Sequence, residues 1–230
     1  MILSLALVAG CKDKNPGQTT PPENGGDATA QTDKPGKKPK DKGGDKNPDK
    51  GQPDEEDPTK KVCPAEVGEY PAPFFGDSIL IRLPKGVTEE NLVEFQPGFA
   101  RLSVPIVESV SCVKDVPGAN ISFMALVMFE DDPAKTIIQL RDETLAPMGY
   151  TNSTFSDEKL DEKARTYEVV IDRPADEANG LPDPGKALLV MKAAHGRMHV
   201  LLMETHPMAW NALKETFRES ATRMTLRNPE

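Results

Sequence analysis

Aromatic side chains are scarce in this sequence, with one Trp, three Tyr and eight Phe among 230 residues. Basic excess is absent too: 28 Lys and Arg face 37 Asp and Glu, for a formal charge of −9. Nucleic-acid surfaces rely on a basic stripe and on aromatic platforms for bases. Lacking both, the chain is not expected to bind nucleic acid, and its acidic part should be repelled by an anionic membrane surface. No apolar run approaches the about 20 residues that cross a bilayer as a helix. The chain also has no G-x-S-x-G, H-E-x-x-H, P-loop, EF-hand loop or dinucleotide fingerprint. No catalytic residue, cofactor or metal-ligand set is therefore assigned, and the chain is not expected to be an enzyme.

What is present divides unevenly. Residues 12–61 hold two apolar side chains, Ala28 and Ala30, among repeated Pro, Gly, Lys and Asp. Such a stretch cannot bury enough apolar surface to offset its ordering entropy, and disorder is expected. Its eleven lysines and eleven acidic residues cancel, so the whole charge of −9 falls on residues 62–230. A flexible tether of this length reaches about 40 Å on average. The remaining residues suffice for one ordinary core. The expected organisation is residues 1–11 as a leader, 12–61 as a linker and 62–230 as a single domain.

The leader, Met1-Ile-Leu-Ser-Leu-Ala-Leu-Val-Ala-Gly-Cys11, is an apolar run closing on Val8-Ala9-Gly10-Cys11. It resembles a bacterial lipoprotein signal: an aliphatic residue, two small residues, then the cysteine that takes the lipid. The resemblance implies that Cys11 is acylated, becomes the new N-terminus and anchors the chain in the cell envelope. Lys12 stands where an inner-membrane retention signal would place Asp, which by resemblance to enteric sorting implies the outer membrane. With Cys11 used, Cys63 and Cys112 remain. In an oxidising envelope they are expected to pair. The bridge would stabilise by about 4 kcal/mol in the chain-entropy model. The pair lacks the C-x-x-C spacing of redox sites.

Within the domain, Ser78–Leu83 reads as a strand stopped by Pro84 and Gly86. Thr88 is placed to cap a short helix through Phe95. Ile106–Val113 and the apolar run Ile121–Phe129 read as strands, the second covered on both faces. Asp132-Pro133 is a helix start, ended by Pro147 and Gly149. Ala164–Ile171 is a strand, followed by a Pro-, Asp- and Gly-rich loop over 172–185. Ala187–Lys192 and Met198–Met203 form a hairpin about His195-Gly196. A helix over 207–225 carries Trp210, Leu213, Phe217, Ala221 and Met224 in one apolar stripe. The tight hairpin and few crossovers predict an α+β fold with an antiparallel sheet flanked by helices.

This order of elements, and above all Lys186–Met203 followed by Trp210–Phe217, resembles the PsbP-like sandwich over about residues 75–227. That group includes photosystem PsbP proteins and small periplasmic lipoproteins of the DcrB type. The resemblance implies binding rather than catalysis, namely an adaptor or assembly role with an envelope protein partner. It carries no site residue across.

Other chemistries were weighed on particular residues. His195, His199 and His206 lie among Met198, Met203 and Met208, donor types that suit copper(I). Turn, helix-start and core roles explain them more simply. Asp172, Asp176, Glu177, Asn179 and Asp183 supply oxygens for calcium without a known loop spacing. Glu130-Asp131-Asp132 fits helix capping better than a catalytic carboxylate pair. The alternative function is a small-ligand or metal-binding module, with a cavity lined by Met124, Met203 and Phe217.

Overall fold

The computed structural model describes residues 57–104, 106–107 and 110–228. In chain order its elements are β1 (Ala72–Phe74), β2 (Ile79–Ile81), β3 (Leu92–Gln96), β4 (Phe99–Leu102), β5 (Ile106–Val107), β6 (Asn120–Ile121), β7 (Phe123–Glu130) and α1 (Ile137–Leu145). They continue with β8 (Thr154–Asp161), β9 (Thr166–Arg173), β10 (Gly185–Ala194), β11 (Arg197–Thr205), α2 (Trp210–Thr222) and β12 (Thr225–Leu226). Seven strands form one antiparallel sheet in the order β3-β4-β7-β11-β10-β9-β8. A small sheet β1-β2-β12 and a two-stranded ribbon β5-β6 complete the α+β fold.

Strand alternation explains why the large sheet carries a helix on each face. Successive side chains of a strand point to opposite faces, and β10 and β11 are apolar without interruption over Ala187–Met191 and Val200–Met203. Leu188, Val190, Leu201 and Met203 pack with Leu213 and Phe217 of α2. Leu189, Met191, Val200 and Leu202 point the other way and pack with Ile137 and Leu140 of α1. The expected apolar stripe of the last helix is its buried face, with Leu213 and Phe217 at zero exposure. Trp210 meets the ring of Phe217 edge-on at 6.1 Å.

Three local expectations differ from the structure, and one strand lies where none was expected. Residues 88–95 are a turn and then strand β3. Asn91 Oδ1 accepts from the Thr88 amide at 3.0 Å, so the side-chain bond closes a turn instead of capping a helix. Long-range pairing with β4 then overrides local preference for the residues that follow. Asp132 does accept from the Ala134 amide, but the helix begins at Ile137, where Thr136 and Gln139 form a reciprocal capping box. Among the described residues between Ile106 and Val113, strand character is confined to β5, and Ser111–Val113 form a 3-10 turn. β8 is the unexpected strand, since its charged sequence has no apolar alternation; it is an edge strand exposed almost throughout.

The disulfide is present: Cys63 and Cys112 are bonded, with a Cα–Cα distance of 5.9 Å. Next to it, Glu66 accepts from the Ser111 hydroxyl and the Cys112 amide. Residues 57–61, assigned by composition to the linker, are the first of the described residues and pack onto the domain. Asp57 caps the 3-10 turn Pro58–Lys60, and Asn211 of α2 donates to the Thr59 carbonyl at 3.1 Å. The remainder of the expected linker, and Cys11, lie outside the described residues.

Replacing both Cys63 and Cys112 by alanine should cost about 4 kcal/mol. Urea unfolding followed by circular dichroism checks this, with the loss reproduced when the wild type is reduced.

Candidate functional site

The structure disperses the residues that sequence proximity had grouped. His195, His199 and His206 lie along one extended strand and its flanks. At about 3.3 Å per residue, His195 and His206 are roughly 35 Å apart. His195 is exposed at the hairpin turn. His199 is buried, with its Nδ1 3.3 Å from the Lys192 carbonyl oxygen. His206 accepts from the Met208 amide at the start of the last helical segment. Met198 belongs to the α1 core and Met203 to the α2 core, so they face opposite ways.

The acidic groups are similarly occupied. Asp172 pairs with Lys186 at 2.8 Å. Asp176 accepts from the Asn179 amide and its side-chain amide, which closes the 3-10 turn Glu177–Asn179. Asp131 forms a two-pronged pair with Arg165, whose guanidinium also donates to the carbonyls of Asp132 and Lys135. Among the described residues no three His, Cys, Asp or Glu side chains converge as a metal site. Met124, Met203 and Phe217 have no exposed surface and pack within the α2 core.

A cleft of about 310 Å³ opens instead between the end of α1 and the 174–184 loop, lined in part by Pro147, Asn152, Asp176 and Leu181. Next to it in sequence, Tyr150 and Arg173 turn inward to a buried ionic cluster. Glu204 accepts from Arg173 Nε at 2.8 Å and Nη2 at 2.9 Å, from the Tyr150 hydroxyl at 2.8 Å and from the Ser122 hydroxyl at 3.2 Å. Gly185 is required here, because a Cβ at this position would lie 2.1 Å from the Glu204 carboxylate. Burial, reinforced by the Glu204 charge, pushes the Tyr150 phenol well above its usual value. Every oxygen of the Glu204 carboxylate has a donor, so the cluster is built to hold strand ends together. A buried pair of this kind tolerates removal of one partner poorly.

The second feature is an uncovered part of the main sheet. On the α1 side, the helix packs over β9, β10 and β11, and that core ends with Phe123, Val127 and Phe129 of β7. Register carries the same face outward. Val127 pairs with Phe99 and Ala125 with Arg101 on β4, and Arg101 pairs with Val93 on β3. Arg101 stacks over the Phe95 ring at 4.4 Å, which places Phe95 on this face as well. Val93 is 40% exposed and Phe95 52%, while Phe99 and Val127 are partly exposed. The opposite face of the same strands is closed: Leu92, Ala100 and Leu102 join the α2 core. Among the described residues Arg101 makes no ion pair, and it is the one charged side chain that β3, β4 and β7 place on the open face. Contiguous exposed apolar surface of this kind marks interaction sites. Sequence reading missed it because a helix was expected over 88–95. The Pro97-Gly98 turn between two apolar segments was the available signal.

No family model and no curated protein matches the sequence. Solved structures do resemble it. The Ran-binding protein Mog1p of Saccharomyces cerevisiae is similar over 70% of this chain and 96% of its own, with a TM-score of 0.51 and 10% identity. An E65A mutant of Mog1 covers 68% of this chain and 94% of its own, with a TM-score of 0.49 and 11% identity. The cyanobacterial PsbP of Synechocystis covers 71% of this chain and 94% of its own, with a TM-score of 0.38 and 10% identity. The Mog1p likeness shows the fold, and the seven-stranded antiparallel sheet with a helix on each face is the expected α+β class.

Glu204→Gln should cost about 3–5 kcal/mol by leaving Arg173 buried with a weakened partner, measured by thermal or urea unfolding. The Tyr150 shift has a defined sign. Below its ordinary pKa of about 10 the phenol is protonated in both states and its contribution is complete. Above that, the unfolded phenol ionises first and stability falls as pH rises through the folded value. The melting temperature of the wild type should therefore drop more steeply above pH ~10 than that of Tyr150→Phe.

Proposed function

We propose that the chain is a lipid-anchored protein of the bacterial cell envelope, non-enzymatic, whose α+β domain docks a protein partner as an adaptor or assembly factor. The observation that carries this reading is the open face of β3 and β4 beside β7, where Val93 and Phe95 are exposed and Phe99 and Val127 partly exposed around a single arginine. Two further points support it. Mog1p, which shares the fold, is by name a Ran-binding protein, so this fold serves protein recognition there. The Val8-Ala9-Gly10-Cys11 sequence supplies the chemistry of an anchor, and Lys12 after it favours the outer membrane. With a tether of about 50 residues, the domain would sample partners within roughly 40 Å of its attachment point.

The reading predicts that Cys11 incorporates labelled fatty acid and that Cys11→Ala moves the protein from the membrane to the soluble fraction. A Cys11→Ala protein that stays membrane-bound refutes the anchor. A photoreactive phenylalanine analogue at position 95 should crosslink to one envelope protein in cells. The same analogue at Leu160, exposed on the opposite edge strand β8, should not. Equal or absent crosslinking at both positions refutes docking through the open face.

A further inference from the structure

The mode of docking follows from a contrast between the two edges of the main sheet. A sheet edge presents unpaired backbone donors and acceptors, and proteins normally defend it with charge, bulges or cover. The β8 edge is defended: it carries Asp157, Glu158, Lys159 and Asp161, and Asp157 has a left-handed backbone at a register shift. Among the described residues the β3 edge has no strand on its outer side, and it presents Val93 and Phe95 to solvent. β3 also has a register shift, at Glu94–Gln96, but its one charged residue, Glu94, is engaged by the Gly98 amide, and Phe95 stays exposed beside Arg101, so this edge is less defended than β8 with its four charged residues.

Resting on the docking reading above, we infer that the partner is an extended segment that adds a strand to β3. Every second side chain of the segment is apolar and lies over Val93 and Phe95, and one is a carboxylate that pairs with Arg101. An added strand satisfies the backbone edge and covers the adjoining face in one act, because alternate side chains fall on the same side. A helix laid on the face would leave the β3 edge unpaired. The carboxylate follows from charge complementarity, since Arg101 is the one charge on the face and has no acidic partner among the described residues. A second copy of this chain is disfavoured, because each copy brings the charge of −9.

The test is selection of random ten-residue peptides on the full-length protein in detergent micelles, followed by hydrogen exchange with a selected peptide bound. The expected peptides alternate apolar residues with polar ones and include Asp or Glu. They slow exchange within residues 92–96. Arg101→Ala should weaken binding about tenfold and Arg101→Lys less, as expected for loss of a charge-assisted contact. Val93→Lys, a charge placed on the edge itself, should abolish binding while leaving the melting temperature unchanged. Peptides with apolar spacing of three or four residues and no protection at 92–96 would overturn strand addition in favour of a helix. Dimerisation of the wild type that Val93→Lys abolishes would overturn it in favour of a second copy. Failure to enrich any peptide would overturn it as well. The crosslink at position 95 separates the two levels. A crosslink with helical or no peptide enrichment leaves docking standing and removes the mode. Strand-like peptides without a crosslinked envelope protein leave the mode standing and remove the adaptor reading.

Discussion

The β10–β11 hairpin is the constraint on which the rest of the domain depends. Nine residue pairs run from Lys186 opposite Thr205 to Ala194 opposite Arg197. Almost every side chain between them is apolar, so neither face tolerates water. One face requires α2 and the other requires α1, and each flanking strand is recruited by extending those two cores sideways. Glu204 sits near the end of this hairpin as its most costly member. Its charge is accepted only because Arg173 of β9 and Tyr150 after α1 reach it. The same carboxylate therefore locks β9 and the α1–β8 connection to β11.

Coverage runs out where the hairpin's influence ends. α1 is a nine-residue helix and packs over β9 to β11. At about 1.5 Å per residue it is roughly 14 Å long, less than the width of a seven-stranded sheet. The β3–β4 pair is held from the other side, through Leu92, Ala100 and Leu102, and stays ordered while one of its faces remains open. An uncovered apolar face thus arises from a mismatch between sheet width and helix length, without an added loop or domain.

Among the described residues the lack of a cluster of metal-ligating side chains has a related origin. Hairpin geometry spreads the His and Met residues along β11 and onto opposite faces. Asp131, Asp172 and Asp176 are each occupied by a local cation or amide. Proximity in sequence, which suggested ligand sets, translates on an extended strand into separation of several ångströms per residue.

The strongly patterned parts of the chain were legible without coordinates. The apolar stripe from Trp210 to Met224, the hairpin around His195-Gly196, the strand character near Ile121–Phe129 and the Cys63–Cys112 bond follow from periodicity, turn chemistry and cysteine arithmetic, whereas the expected cover on both faces of that run is incomplete at Phe123, Val127 and Phe129. These are local or compositional signals, and burial only reinforces them. The β3 strand, the capping box at Thr136 and the charged edge β8 were less legible, because residues such as Thr88–Phe95 carry a helix-compatible pattern until β4 pairs with them. The open face was not legible at all. Phe95, Phe99, Arg101 and Val127 are scattered over three strands, and only register brings them side by side. Sequence alone therefore determined which segments must be buried and which cysteines must meet. Tertiary structure decided which apolar residues were left uncovered, because coverage depends on where a short helix stops across a wide sheet.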